Sequence, residues 1–309
     1  MTVTVIIPTH KRPEELSRCL DALRKQTRPA DEILIIVRDN DKETETFSSK
    51  LAQDTLKIKK INVKTPGQVA ALNVGLDEAR GDIIAFTDDD AVPRQDWLER
   101  IEKHFLAESN AGGVGGRDLV YISGQLVKGE RRGVGKITWY GRISGNHHLG
   151  TGGPREVDHL KGANMCFLKK ALSGIRFDEQ LRGSGAQYRN DLALCLAVKQ
   201  AGWKLIYDPS IAADHYYSKR FDEDQRGKFD PIAIRDLAHN DIYIFLKYLT
   251  GLKRFMYIMY ALLIGTIATP GIIQFFRLLP KKRKEAFFRF FCSMRGQWEG
   301  YKTWRKNIK

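Results

Sequence analysis

The chain has 309 residues, 42% of them hydrophobic and 28% charged, a balance that supplies a full buried core and excludes a disordered chain. Its formal net charge of +14 asks for an anionic partner, but residues 277–309 hold eleven Lys or Arg against Glu285 and Glu299, residues 255–276 hold no charge, and residues 1–254 hold only +5. Basicity gathered beside an apolar segment fits anionic lipid better than a groove tracking phosphates, so nucleic acid is set aside as a partner.

The N-terminus, Met1-Thr2-Val3-Thr4-Val5-Ile6-Ile7-Pro8, has neither the basic start nor the long apolar run of a secretory signal, which places the N-terminal domain in the cytosol. Val3 to Ile7 reads as a short buried strand stopped by Pro8. Leu16, Cys19, Leu20 and Leu23 then recur at helical spacing after Pro13. Residues 33–37 form a second strand and residues 61–64 a weaker third. Val69, Leu72, Leu76 and Ala79 mark a helix that ends before Gly81, and residues 83–87 form the next strand. Strands alternating with helices predict an α/β fold with a mostly parallel, Rossmann-type sheet, whose ligands bind beyond the carboxyl ends of the strands. The loops after Ile7, Val37 and Thr87 are therefore the candidate site.

Thirteen glycines fall in residues 112–153, and this stretch is expected to be irregular and mobile, on the acceptor side. Regularity returns at residues 157–168, in a helix over 191–201 stopped by Gly202, and in a strand over 204–207 that runs into Asp208 and Pro209. Cys19, Cys166, Cys195 and Cys292 have no paired spacing, which argues against a zinc site or disulfide framework and for a reducing compartment.

Asp88, Asp89 and Asp90 directly follow the strand Ile83-Ile84-Ala85-Phe86-Thr87. Three carboxylates at the carboxyl edge of a buried sheet repel one another unless a hard divalent cation, Mn²⁺ or Mg²⁺, joins them, and such an ion also takes diphosphate oxygens as ligands. Strand alternation turns Asp88 and Asp90 to one side together. An acidic turn or helix cap accounts for the triplet taken alone equally well.

The surrounding residues resemble glycosyltransferase family 2. Its opening stands as Ile6-Ile7-Pro8-Thr9-His10-Lys11-Arg12-Pro13, and the helix before its metal motif as Gly67-Gln68-Val69-Ala70-Ala71-Leu72-Asn73-Val74-Gly75-Leu76, followed by Ala79-Arg80-Gly81-Asp82 and the aspartate triplet. Its acceptor half is matched by Gly162-Ala163-Asn164-Met165, Phe177-Asp178-Glu179, Asn190-Asp191, Ala201-Gly202-Trp203, Asp208-Pro209 and His215, so that order and spacing agree over residues 3–217. The resemblance implies the GT-A type of fold, a nucleotide-diphosphate sugar donor and an inverting, metal-dependent transfer. It places Pro8, Thr9, Arg12, Asp39, Asn73, Asp88 and Asp89 around the donor, with Asp90 on the metal. It also offers His215 as a further metal ligand, where a core histidine is nearly as good a reading. Asp191 is the candidate base for the acceptor hydroxyl, although Asn190 stands where the family has Glu and Asp191 also suits helix capping. Two other departures are Val37-Arg38-Asp39-Asn40-Asp41, which can shift the base contact by a residue or merely cap a turn, and Leu72, where relatives are often basic. Lys11, Arg12 and Arg38 are candidate phosphate helpers or plain surface charges. His10, His104, His147, His148, His159 and His239 have no metal-binding spacing.

Residues 255–276 are 22 positions without a charge, long enough as one helix to cross about 30 Å of hydrocarbon. Pro270 and Gly271 interrupt the run and basic residues flank both ends, so a spanning helix, a re-entrant pair, a surface-lying pair and a buried core helix all remain open. Phe287, Phe288, Phe290, Phe291, Trp298, Tyr301 and Trp304 among basic residues suit a headgroup layer. The expected division is a donor-binding half over 1–110, an acceptor-binding half over 111–235 and a helical, membrane-associating tail over 236–309, holding the enzyme on the cytoplasmic side of a membrane near a lipid-linked or glycan acceptor. A membrane-anchored carbohydrate-binding protein without activity and a sugar nucleotidyltransferase are the alternatives, the latter lacking its usual glycine-rich phosphate loop.

Overall fold

The computed structural model describes residues 1–49, 56–219, 221, 225 and 229–308. Two compact units emerge, the first from Met1–Lys136, Ser144–Phe177 and Leu194–Ser218, the second from Ile137–Ile143, Asp178–Ala193 and Lys219–Lys309.

The first unit is built on one sheet. Strand β1 (Val3–Thr9) is followed by helix α1 (Pro13–Arg24), which opens on Pro13 and buries Leu16, Cys19, Leu20 and Leu23. Next come β2 (Glu32–Arg38), α2 (Lys42–Ser49), β3 (Ile58–Val63), α3 (Gln68–Glu78) and β4 (Ile83–Phe86). The apolar β-branched runs of β1, β2 and β4 are buried on both faces, as a parallel sheet covered by helices requires. Gly75 lets α3 lie against the sheet, because a Cβ there would stand 2.6 Å from Ile6 Cγ2. The chain continues through β5 (Ala91–Pro93), α4 (Trp97–Ala107), β6 (Ala111–Ile122), β7 (Gln125–Leu126), β8 (Lys136–Ile137), β9 (Ile143–Ser144), β10 (Arg155–Val157), β11 (Met165–Leu168), α5 (Asn190–Gln200) and β12 (Lys204–Tyr216). Strand order across the main sheet is β10-β12-β6-β11-β4-β1-β2-β3, with β5 also paired to β12, while β8 and β9 form a separate ribbon. The β3-β2-β1-β4 half is parallel, β11 runs antiparallel between β4 and β6, and β6 and β12 are parallel to each other. Phe86 seals the centre edge-on to Phe167 and Phe177, with ring centres 6.2 and 5.2 Å away.

One expectation is corrected here. The glycine-rich stretch opens not as an irregular segment but as β6, a twelve-residue strand inside the sheet. Its glycines answer a packing demand: a Cβ on Gly113 would meet Leu205 and Phe167 at 2.7 to 2.9 Å, and one on Gly116 would stand 1.7 Å from the Ile211 carbonyl oxygen.

In the second unit, α6 (Pro231–Tyr248) begins on Asp230, whose carboxylate accepts from the amides of Ile232 and Ala233 at 2.7 and 2.9 Å. Helices α7 (Gly251–Leu263) and α8 (Ile272–Asn307) follow. Gly296 and Gly300 bring α8 close to α6, since a Cβ at either would fall within 2.4 Å of the Arg235 or His239 carbonyl oxygen. The uncharged run is not one helix. Gly265, with φ of 67°, and Pro270 end α7 and restart the chain as α8, and no helix among the described residues is long and apolar enough to cross a membrane. The spanning reading of residues 255–276 therefore falls, and a helix pair takes its place. Within α8, Arg283 leaves helical geometry at φ 33°, three residues after Pro280, so the basic run from Lys281 to Lys284 sits at a bend.

Candidate active site

Strand β4 ends at Phe86, and the turn that follows holds Asp88, Asp89 and Asp90 at the carboxyl edge of the sheet. Asp88 and Asp90 face one way and, with His215, each offer a ligand atom within 4.8 Å of the others. Asp89 turns into the protein, where Arg12 Nη1 donates to it at 2.9 Å; the same nitrogen lies 3.8 Å from Asp90. Asp88 is half-buried and accepts from Gln68 Nε2 at 3.3 Å. Asp90 Oδ2 accepts from the amide and hydroxyl of Ser218 at 3.1 and 2.8 Å, leaving Oδ1 2.9 Å from His215 Nε2.

His215 reaches Asp90 because β5 and β12 pair with His215 opposite Ala91. Its Nδ1 contacts Asp118 Oδ1 at 2.9 Å, and Lys161 bridges to the other oxygen of Asp118. Burial disfavours charge on every member of this group, and the pairings decide the outcome. His215 is driven against burial by Asp118 and Asp90 up to about 10. Asp118 and Asp90 are held well below the usual carboxylate range, against burial, by His215 together with Lys161 for the first and Arg12 for the second. Burial pushes Asp89 up to about 7 in spite of Arg12, and burial together with Asp90 raises Asp88.

The donor set fits a divalent cation. Two carboxylates and an imidazole converge at one point, and His215 Nε2, though 2.9 Å from Asp90, is buried without a hydrogen bond of proper geometry. Once it gives up its proton, that nitrogen is a ligand of the borderline kind Mn²⁺ accepts, and a bound ion would replace the imidazole proton as the source of positive charge.

The remaining sequence candidates divide. Pro8 and Thr9 end β1, opposite Ile36 and Val37, at the same sheet edge. Asp39 follows β2, half-buried, with its amide donating to the Val63 carbonyl at 2.9 Å. The buried carboxylate of that loop is Asp41, which accepts from the Thr44 amide and hydroxyl at 3.1 and 2.7 Å and from the Lys11 amide, so it caps α2 and clamps the loop after β1. Lys11 and Asn40 hold left-handed backbone, φ 55° and 71°, in these two loops. Asn73, expected at the donor, is buried in the core with its carboxamide bonded in both directions to the Phe177 backbone. Leu72 is a core residue. Asp208 binds His104 Nε2 at 2.8 Å and holds α4 to β12.

In the second unit, the first turn of α5 carries Asp191 as expected, half-buried, with Oδ1 accepting from the Leu192 amide at 2.7 Å. Asn190 is turned inward and donates to the carbonyls of Ala186 and Gln187 at 3.0 and 3.1 Å. Left-handed Gln187 and Arg189 lead into this turn, and Arg189 is anchored on Asp241 at 2.7 Å.

Sequence reasoning missed Asp118 and Lys161. Asp118 lies in the stretch read as irregular, and only the alternation Asp118, Val120 against Ala213, His215 across two strands identifies it.

The model of glycosyl transferase family 2 matches residues 4–171, more than half of the sequence, and the chain belongs to that family. Glycosyltransferase AglE of Haloferax volcanii is 38% identical over 104 residues, 32% of this chain, and the matched region spans 33% of AglE's length. A dolichyl N-acetyl-alpha-D-glucosaminyl phosphate 3-beta-D-2,3-diacetamido-2,3-dideoxy-beta-D-glucuronosyltransferase of Methanococcus voltae is 24% identical over 325 aligned positions, 94% of each chain. The mannosyltransferase PcManGT of Pyrobaculum calidifontis, solved with GDP-Man and Mn²⁺, shares the fold at a TM-score of 0.60 and 17% identity, covering 99% of this chain and 88% of that one.

Proposed function

We propose that the chain is an inverting glycosyltransferase that moves one sugar from a nucleotide-diphosphate donor to a hydroxyl of a lipid-linked or cell-surface glycan precursor. The observation that carries this reading is the convergence of Asp88, Asp90 and His215 at the carboxyl edge of the parallel sheet, where α/β folds bind nucleotides. Asp90 and His215 would hold Mn²⁺ or Mg²⁺, and the ion supplies charge neutralisation for the departing diphosphate. Pro8, Thr9 and Asp39 border the donor's base and Asp88 its ribose side. Asp89 acts through Arg12, fixing the guanidinium beside Asp90. Asp191 takes the proton of the acceptor hydroxyl as its oxygen attacks the anomeric carbon and the bond to the diphosphate oxygen breaks, so configuration inverts.

The lipid-linked acceptor is supported by the dolichyl-linked substrate in the name of the Methanococcus voltae relative. It is supported also by the second unit, where Leu252, Phe255, Ile264, Ile267, Ile273, Phe276, Phe288 and Phe291 are 45 to 72% exposed. Apolar exposure on this scale beside a basic bend suits the cytosolic face of an anionic membrane.

The test is release of nucleoside diphosphate by the purified chain from a panel of nucleotide sugars, with Mn²⁺ and then with EDTA. Release with one donor, stopped by EDTA and by Asp90→Asn, is the expected result. A folded protein that neither binds nor cleaves any donor would be a carbohydrate-binding protein instead, and formation of a nucleotide sugar from sugar phosphate would make it a nucleotidyltransferase.

A further inference from the structure

Behind Asp88, Asp90 and His215 lies a second layer of charge. Strands β6 and β12 run parallel with Asp118 opposite Ala213 and Val120 opposite His215, and the period of two puts Asp118 and His215 on one face. On the other side of β12, Ala91 is opposite His215, which sets Asp90 beside the imidazole. His215 is thus flanked on both sides: Asp118 Oδ1 is 2.9 Å from Nδ1 and Asp90 Oδ1 is 2.9 Å from Nε2. The imidazole and the Tyr217 ring meet at a steep angle, ring centres 4.8 Å apart, and Lys161 Nζ lies 5.8 Å from the centre of the Tyr217 ring while bridging to Asp118. Asp118 is 0% and His215 2% exposed, so neither side chain can turn to water.

We infer that Asp118, fixed by Lys161, is the positioning residue that presents His215 Nε2 to a divalent cation. A neutral imidazole has one N–H; with Nδ1–H donated to Asp118, the lone pair belongs to Nε2, which faces Asp88 and Asp90. Metal-binding histidines are commonly oriented by a carboxylate on the far nitrogen. Lys161 completes the arrangement by holding the second oxygen of Asp118, which keeps that carboxylate from swinging into the cation site itself. The inference rests on the proposed metal reading. A buried triad that serves stability alone makes a different prediction, because its loss lowers the melting temperature and leaves the affinity of the folded protein for metal unchanged.

The experiment is Mn²⁺ titration of the full chain, read by the electron paramagnetic resonance of the free ion, with UDP and GDP present in turn. Wild type is compared with His215→Ala, Asp118→Asn and the double variant Asp118→Asn/Lys161→Met, which removes the lysine left unpaired by the single change. Both Asp118 variants should bind Mn²⁺ about 10- to 100-fold more weakly, with the double variant melting close to wild type. Wild-type affinity in the folded double variant, alongside loss in His215→Ala, overturns the positioning role and leaves the metal reading standing. A wild-type chain that takes up no Mn²⁺ with either nucleotide overturns the metal reading and this inference with it.

Discussion

Asn73 and Phe177 exchange a pair of hydrogen bonds, the carboxamide Nδ2 donating to the Phe177 carbonyl and the Phe177 amide donating to Asn73 Oδ1, each at 3.0 Å. The pair ties α3 to the segment between β11 and α5. Asn73→Ala would leave two buried backbone groups unpaired, at a cost of about 2 to 4 kcal/mol. Chemical denaturation should show this loss, while donor affinity of the folded fraction stays at the wild-type value. A selective fall in donor affinity with unchanged stability would return Asn73 to the donor site.

Asp191→Asn keeps the shape of the first turn of α5 and removes the carboxylate proposed as the proton acceptor. Transfer should drop by about 100- to 10,000-fold while donor binding is kept. Single-turnover kinetics and calorimetry on the same preparation separate the two, and near-normal turnover would remove Asp191 as the base.

Two buried histidines should draw stability from the fold as pH falls from near neutrality. Burial, reinforced by His159, lowers His147 to about 3, and burial lowers His239 to about 4 although Asn240 opposes the shift. Both histidines are neutral in the folded protein and protonate in the unfolded chain near 6.5. Between pH 6.5 and those lowered values the unfolded chain therefore holds more protons at these two sites, and their contribution to stability falls as pH drops through that window, by up to about 1.4 kcal/mol per pH unit for each group. Above pH 6.5 neither contributes a slope. Asp89, pushed up to about 7 by burial, contributes the opposite slope over the same window, so the part due to His147 is read as the difference between His147→Gln and wild type. The urea midpoint of the variant should gain on that of wild type as pH falls from 7 to 5, and a constant difference would remove His147 as a source of acid sensitivity.

Vesicle binding should depend on two separable forces. Wild type should sediment with vesicles containing anionic lipid and be retained in part at high salt, because burial of Ile267, Ile273 and Phe276 is insensitive to screening whereas each Lys or Arg near the surface adds about 1 kcal/mol at low salt. Replacing those three exposed residues by Ser should convert the attachment to one that salt fully reverses, with the fold unaffected. Equal sedimentation of the variant at high salt would place the contact elsewhere.

The parallel half of the sheet was legible because Val3 to Ile7, residues 33–37 and residues 83–87 are apolar runs closed by Pro8, Arg38 and Asp88; Asp88 and Asp90 do converge, but in the turn after β4 and not by strand alternation. The strand β6 was not legible. Its glycines look like a loop in sequence, yet Gly113 and Gly116 are required by neighbours, Leu205, Phe167 and Ile211, that come later in the chain. Asp118 and Lys161 were hidden for the same reason, since a buried charge is tolerated only through partners that no local pattern contains. The uncharged run was legible only in part: Pro270 and Gly271 marked the break in sequence, while the turn at Gly265 and Pro270 set its geometry.

The pairing of β5 with β12 has a consequence for how the protein is made. Asp90 emerges early in synthesis and waits for His215, which arrives only when the last strand of the first unit is available to pair with Ala91. The Asp88, Asp90 and His215 cluster proposed to hold a cation is thus a late product of vectorial folding, assembled across a large loop closure. Metal uptake by ribosome-bound chains of increasing length would therefore act as a clock for completion of the sheet.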